Sequence, residues 1–181
     1  FRLPDNSVVT LNAGSALTYS KRTWKNERSL SLTGEAFFEV QKGSNFEVNT
    51  KLGIVEVLGT SFNVRAYDDQ LAVACKTGKV RVTGIDNSKR IIIPGQKVMT
   101  ASGAELTEPA QIELSQIDSW ISGVMEFEST PLKEVFKELE RQFNKKIEVE
   151  AEWLEQERYN GYFDRNDLKG TLDEMSISMG F

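Results

Sequence analysis

The 181-residue chain carries 39% hydrophobic and 27% charged residues, the balance of a folded globular protein and long enough for one domain or two small ones. It has no histidine and a single cysteine, Cys75, which excludes Ser-His-Asp and Cys-His catalysis, His-ligated zinc or iron, and any internal disulfide; only oxygen-ligand metals such as calcium stay conceivable. Net charge is −5 and uneven, with 14 acids against 8 bases in residues 124–181 and 13 against 14 in residues 1–123, so neither part has the basic excess of a nucleic-acid binder, and the acidic part suits a basic protein patch.

No apolar run approaches the ~20 residues that span a bilayer. The chain opens on Phe1-Arg2-Leu3-Pro4 with no initiator Met and no signal peptide, which reads as a piece of something longer. Cys75 closes the apolar stretch Leu71-Ala72-Val73-Ala74, so it reads as a small buried hydrophobe.

Residues 1–107 read as short strands. Val8–Leu11, Leu30–Leu32, Ala36–Val40, Phe46–Val48, Ile54–Leu58, Phe62–Val64, Leu71–Ala74, Val80–Val82, Ile91–Ile93 and Lys97–Thr100 alternate or cluster apolar residues, and most end at a glycine turn such as Gly14, Gly34, Gly59, Gly78, Gly84 or Gly95. This spacing predicts an all-β roll, sandwich or short irregular β-solenoid. The phase places Phe37, Val40, Val57, Phe62, Val64, Val80 and Ile92 in the core. No phosphate-cradling glycine motif is present.

Residues 108–123 change the pattern. Glu108-Pro109-Ala110 breaks the strands, and apolar residues at 114, 117, 120 and 121 suggest a linker with a helical turn, ending at Gly123. Residues 124–181 then predict a small α+β domain. Thr130 as N-cap with Pro131 at the first helical position opens a helix whose stripe is Leu132, Val135, Phe136, Leu139 and Phe143. Glu134 with Lys137 and Glu138 with Arg141 are spaced to pair on its wet side, and Asn144 is its stop. Lys146–Glu152 alternates as a strand, with Glu148, Glu150 and Glu152 facing water. Tyr159–Phe163 reads as a further strand and Thr171–Met179 as a second helix, so residues 124–181 run strand, helix, strand, strand, helix, a βαβ-βαβ-like arrangement lacking its last strand.

Several blocks together are similar to the FecR family of bacterial signalling proteins. They are Leu3-Pro4-Asp5-Asn6-Ser7-Val8-Val9 with Leu11-Asn12-Ala13-Gly14-Ser15, Gly34-Glu35-Ala36-Phe37-Phe38-Glu39-Val40, Val57-Leu58-Gly59-Thr60-Ser61-Phe62-Asn63-Val64, Thr77-Gly78-Lys79-Val80 and Pro94-Gly95-Gln96. Trp120, Gly123, Phe127, Thr130-Pro131-Leu132 and Glu134-Val135 resemble the start of the C-terminal domain of Bacteroidetes-type members. That domain is itself similar to the short N-terminal domain of TonB-dependent receptors and secretins. The resemblance implies the periplasmic region of a single-pass inner-membrane anti-sigma factor. Its partners would be the signalling domain of an outer-membrane TonB-dependent receptor and, through a cytoplasmic segment outside this sequence, an ECF-type sigma factor. It implies no enzyme activity, no cofactor and no nucleic acid.

On that view the partner-binding residues are sought in the acidic C-terminal domain: Tyr159 and Tyr162, because tyrosine is enriched at interface hot spots, and Glu148 and Glu150, because acids steer a basic partner. An alternative is a carbohydrate-binding or carbohydrate-active all-β module. Tyr19, Trp24, Tyr67, Tyr159 and Tyr162 would supply a sugar-stacking face, and Glu35, Glu39, Asp68 and Asp69 the carboxylates that hydrolysis requires.

Overall fold

The computed structural model describes residues 1–102, 104–148 and 157–179. The chain divides into two compact units, Phe1–Asp118 and Ser119–Phe181.

The first unit is a curled sheet of eleven strands. In chain order they are β1 (Val8–Leu11), β2 (Ala16–Tyr19), β3 (Arg28–Glu39), β4 (Phe46–Thr50), β5 (Gly53–Val57), β6 (Ser61–Ala66), β7 (Gln70–Cys75), β8 (Val80–Gly84), β9 (Lys89–Ile92), β10 (Gln96–Ala101) and β11 (Ala110–Gln111). Strand β3 divides the sheet into two arms. Its second half, residues 34–39, pairs with β1 on one edge and β6 on the other, and β7, β10 and β11 continue that arm. Its first half pairs with β2 and β4, and β5, β8 and β9 continue the other.

The β3–β4 pair is parallel, and this forces the curl. A straight strand of 12 residues spans about 40 Å, whereas the link from Glu39 to Phe46 reaches only about 25 Å when extended. Yet Phe46 must lie beside Arg28. Strand β3 therefore bends until its two ends approach, and the arms close over one core. That core joins Phe38, Phe62, Val64, Val73 and Val98 of one arm to Phe46, Val48, Val55, Val82 and Ile92 of the other. Ring contacts cross it: Phe62 stacks on Phe38 at 5.0 Å, Phe38 meets Phe46 at 6.1 Å, and Phe46 meets Trp24 at 5.8 Å. All seven residues expected in the core are buried.

Arg28 clasps the return link. Its guanidinium donates to the Gln41 carbonyl at 2.9 Å and to the Ser44 carbonyl, and forms an ion pair with Asp5 at 2.9 Å. Burial works against ionisation of Asp5. The hydrogen bonds from Arg28 and from the hydroxyl and amide of Ser7 outweigh it and hold the carboxyl below its usual range. Cys75 is fully buried, and burial pushes its thiol up to about 11.

The segment expected as a linker is attached to this unit over most of its length. Strand β11 pairs with β10, the Ile112 amide donates to the Gly95 carbonyl at 2.9 Å, and Ile117 is buried. The second unit opens with a 3-10 turn at Ser119–Ser122, followed by β12 (Val124–Pro131), α1 (Leu132–Phe143), β13 (Arg158–Asp164) and α2 (Leu168–Met179). Strands β12 and β13 are antiparallel, and Met125, Tyr159 and Phe163 pack with Leu132, Val135, Phe136, Leu139 and Met175 of the helices.

Local expectations shift in three places. Thr130 does not cap α1: it stays in the ladder opposite Tyr159, and the helix starts after Pro131 with no side-chain cap. Asn144 does end that helix, in the left-handed conformation, and the pairs Glu134–Lys137 and Glu138–Arg141 form at 3.3 and 2.9 Å. Helix α2 starts three residues early because Asp167 caps it, its carboxylate accepting from the Gly170 amide at 2.9 Å. Residues 146–148 of the expected Lys146–Glu152 strand are not in a strand, and the remainder lies outside the described residues.

Two outcomes follow. Phe62→Ala should cost ~3–5 kcal/mol in urea unfolding, because it leaves a cavity under the Phe38 ring. A loss below about 1 kcal/mol would remove the ring column from the account. For Asp5, a carboxyl lowered on folding adds stability that is full above the unfolded value near pH 4 and is lost as pH falls through the folded value. Asp5→Asn should therefore be less stable than the parent at pH 7, with the gap shrinking by pH 3. An equal gap at both values would contradict the clasp.

Candidate partner-binding face

Parts of three of the family-like blocks, around Asn12–Ser15, Gly34–Glu35 and Asn63, meet at the bend of β3. Gly34 has φ of +96°, and a Cβ there would lie 2.4 Å from Ser15 Oγ and 2.7 Å from Ser15 Cα. Only glycine satisfies both the backbone angle and the contact. Next to it Glu35 is 5% exposed. Its carboxylate accepts from Asn12 Nδ2 at 2.8 Å and Asn63 Nδ2 at 2.7 Å, and pairs with Arg65 at 3.4 Å. The Arg65 guanidinium lies 5.1 Å from the Tyr67 ring centre, and the Tyr67 hydroxyl donates to the Ala13 carbonyl. Ser15 Oγ accepts from the Glu35 amide at 2.8 Å. A buried carboxylate is tolerated when its lone pairs are filled and a cation stands beside it. This cluster fastens the β1–β2 turn to the bend.

The carbohydrate reading loses its parts here. Glu35 is engaged in that cluster, Glu39 is exposed at the far end of β3, and Asp69 forms a surface ion pair with Lys51 at 2.7 Å. The aromatics do not share a face. Trp24 is buried between Tyr19 and Phe46, with ring distances of 5.1 and 5.8 Å, and Tyr67 and Tyr159 are buried as well. Among the described residues, no group of three or more His, Cys, Asp or Glu could hold a metal ion.

The second unit places its expected residues unequally. Tyr159 is 7% exposed and stacks on Phe163 at 5.1 Å. It belongs to the core, because Ser178 of α2 supplies the hydroxyl partner that a buried tyrosine needs. Burial pushes that phenol up, with Ser178 pulling the other way and the Glu174 charge adding to the rise. Tyr162 points to the opposite face and is 73% exposed. Opposite it in the ladder stands Glu126, and two pairs further along Val124 stands opposite Asp164. All four are exposed. Glu148 is exposed and pairs with Lys146 at 3.4 Å, while Glu150 lies outside the described residues.

Among the described residues of this unit, the helices cover one side of β12–β13, and the acidic, tyrosine-centred side is exposed. Partly buried hydrogen bonds tie the end of β13 to α1 and to the turn before β12. Arg165 donates to Gln142 Oε1 at 2.9 and 2.6 Å and to the Trp120 carbonyl at 2.9 Å, and the Arg165 amide donates to the Gly123 carbonyl at 3.0 Å. The residues missing from the expected set are Glu126 and Asp164. Their signal was the odd-even pairing of β12 with Tyr159–Phe163: a strand before the first helix was expected, but its register against Tyr159–Phe163 was not.

These elements define a curled β module followed by a helix-backed two-stranded unit. The descriptions "FecR protein" and "FecR, C-terminal" match residues 1–81 and 124–181. Two crystal structures of a protein of Parabacteroides distasonis ATCC 8503, described as a "putative anti-sigma factor" and determined at 1.65 and 2.50 Å resolution, are similar to the chain. Each superposes with a TM-score of 0.89 at 31% identity, covering 99% of this chain and 86% of that one. No curated protein matches. The chain belongs to the FecR family. Family and neighbour together support a regulatory role as sensor and anti-sigma factor.

Gly34→Ala tests the bend. Strain at positive φ alone costs about 1–3 kcal/mol, and the contact with Ser15 adds to it. The variant should melt well below the parent, and an unchanged melting temperature would mean that β3 does not need glycine there.

Proposed function

We propose that this chain is the periplasmic sensor region of a FecR-like anti-sigma factor anchored in the inner membrane. It would relay the state of an outer-membrane TonB-dependent receptor to an ECF-type sigma factor by protein–protein contact. The observation that supports this reading most is the open face of β12–β13, within the residues matched by the C-terminal family description. Tyr162 is its natural anchor. It is large, exposed and amphipathic, and its two-torsion side chain is ordered on binding at little entropic cost. Glu126 and Asp164 flank it, so the complementary receptor surface is basic with a pocket for an aromatic ring. The other side of the sheet is occupied by the unit's own helices, which leaves this side for a partner.

No helix among the described residues is long and apolar enough to cross a membrane. Anchoring of the parent protein rests on the family likeness alone.

The experiment is a calorimetric titration of the chain with candidate receptor signalling domains. Tyr162→Ala should weaken binding at least tenfold, as truncation of an interface anchor does. A combined Glu148→Lys and Glu150→Lys variant should slow association, and association of the parent should slow as salt rises. Unchanged affinity in both variants, with their folding intact, would move the interface away from this face.

A further inference from the structure

The outward face of the arm that ends in β9 carries a groove of about 490 Å³, on a different unit from the face proposed above. Strand alternation builds its wall. Val55, Val57, Val80, Val82 and Ile92 point into the core, so Glu56, Arg81 and Ile91 stand side by side on the outside, in one row across β5, β8 and β9. Leu58 and Ile91 are 65% and 58% exposed. Two exposed branched aliphatic side chains lining one groove are a surface that water covers poorly.

The groove is cationic. Lys42, Lys79 and Arg81 line it against one acid, Glu56. That acid is already engaged: Arg81 lies 3.7 Å from it, and Asn45 donates to it at 3.3 Å. A net positive charge therefore stays available beside the apolar pair.

The groove is also preformed. The Gly43 amide donates to the Leu58 carbonyl at 2.9 Å, and a Cβ on Gly59 would lie 2.6 Å from Lys42 Cγ and 2.7 Å from Lys42 Cα. Thr60 Oγ1 donates to the Lys79 carbonyl at 3.1 Å, and a Cβ on Gly78 would lie 2.7 Å from that hydroxyl. The Leu58-Gly59-Thr60 and Thr77-Gly78-Lys79 blocks thus press together to fix the positions of two of the three cations. A rigid site binds with less ordering cost than a loop that must first settle.

We infer that this groove receives an extended acidic peptide segment, seating one apolar side chain between Leu58 and Ile91 and its carboxylates on Lys42, Lys79 and Arg81. The lining holds no aromatic ring, and rings are what single-stranded nucleic acid needs to stack its bases. A concave site suits a chain segment better than a flat anionic lipid surface. The combination of cations and aliphatic side chains fits carboxylates interleaved with Leu, Ile or Phe.

The probe is a set of dye-labelled nonapeptides with a central leucine flanked by Asp and Glu, by Asn and Gln, or by Lys, titrated by fluorescence anisotropy against the whole 181-residue chain. Saturable binding of the acidic peptide alone is expected, weakening as salt rises. A Lys42→Glu, Lys79→Glu variant should lower its affinity at least tenfold, and Leu58→Ser should lower it several-fold. Should the charge-reversed variant melt early, Lys42→Gln with Lys79→Gln carries the same test. Tyr162→Ala should leave peptide binding unchanged, which separates this site from the β12–β13 face. The inference is overturned by an absence of saturable binding, by equal binding of the Asn/Gln peptide, or by indifference to the lysine variants. Binding of phosphatidylglycerol vesicles or single-stranded DNA in place of the peptide overturns it as well.

Discussion

Strand β3 must serve two sheet arms at once, and the rest of the first unit depends on that constraint. Because β4 lies parallel to the start of β3 after a short link, the strand cannot run straight. The bend decides where the arms face, and the facing arms decide which side chains are buried. The aromatic column from Trp24 through Phe46 and Phe38 to Phe62 fills the space that the bend encloses. Arg28 and Asp5 then tie the return link to the chain's first residues. Removing any of these weakens closure, because burial on each arm requires the other.

The sequence blocks that mark the family acquire physical roles from this geometry. Gly34 and Glu35 belong to the bend, Asn63 and Arg65 fill the Glu35 carboxylate, and Asn12 and Ser15 bring in the first turn. Gly59, Thr60 and Gly78 weld two turns at the other end of the sheet. Such positions resist substitution because backbone angle, close contact and buried charge act together there. The Glu35 cluster looks like a candidate for acid chemistry when only residue types are known. Its buried position and filled lone pairs make it a structural fastening.

Strand phase in the first unit was legible because alternation there has a strict period of two. That is why Phe62, Val64, Val80 and Ile92 face inward as expected. The bend was not legible, since a parallel return after a short link leaves no mark in alternation. In the second unit the apolar stripe of α1 was plain, yet its start was misplaced by one residue because Thr130 and Pro131 suit a strand end as well as a helix start. Helix α2 looked shorter than it is because Gly170 weakens its first turn, although Asp167 caps it. Tyr159 and Tyr162 had the same residue type, and only ladder pairing and Ser178 separate a core ring from a surface one. The surface acids Glu126 and Asp164 were not singled out because an exposed acid has no sequence signature beyond its charge.

Cys75 carries a consequence for the chain's chemistry in air. Thiol–disulfide exchange proceeds through the thiolate, and a thiol held near 11 is ionised only about once in ten thousand molecules at neutral pH. Its hydrogen is directed at the Thr77 carbonyl at 3.2 Å, and its sulfur is closed off from solvent. The folded unit is therefore a poor participant in thiol–disulfide exchange. With one cysteine it gains no internal disulfide, and while Cys75 stays buried the fold is held by non-covalent contacts, the closure of β3 among them.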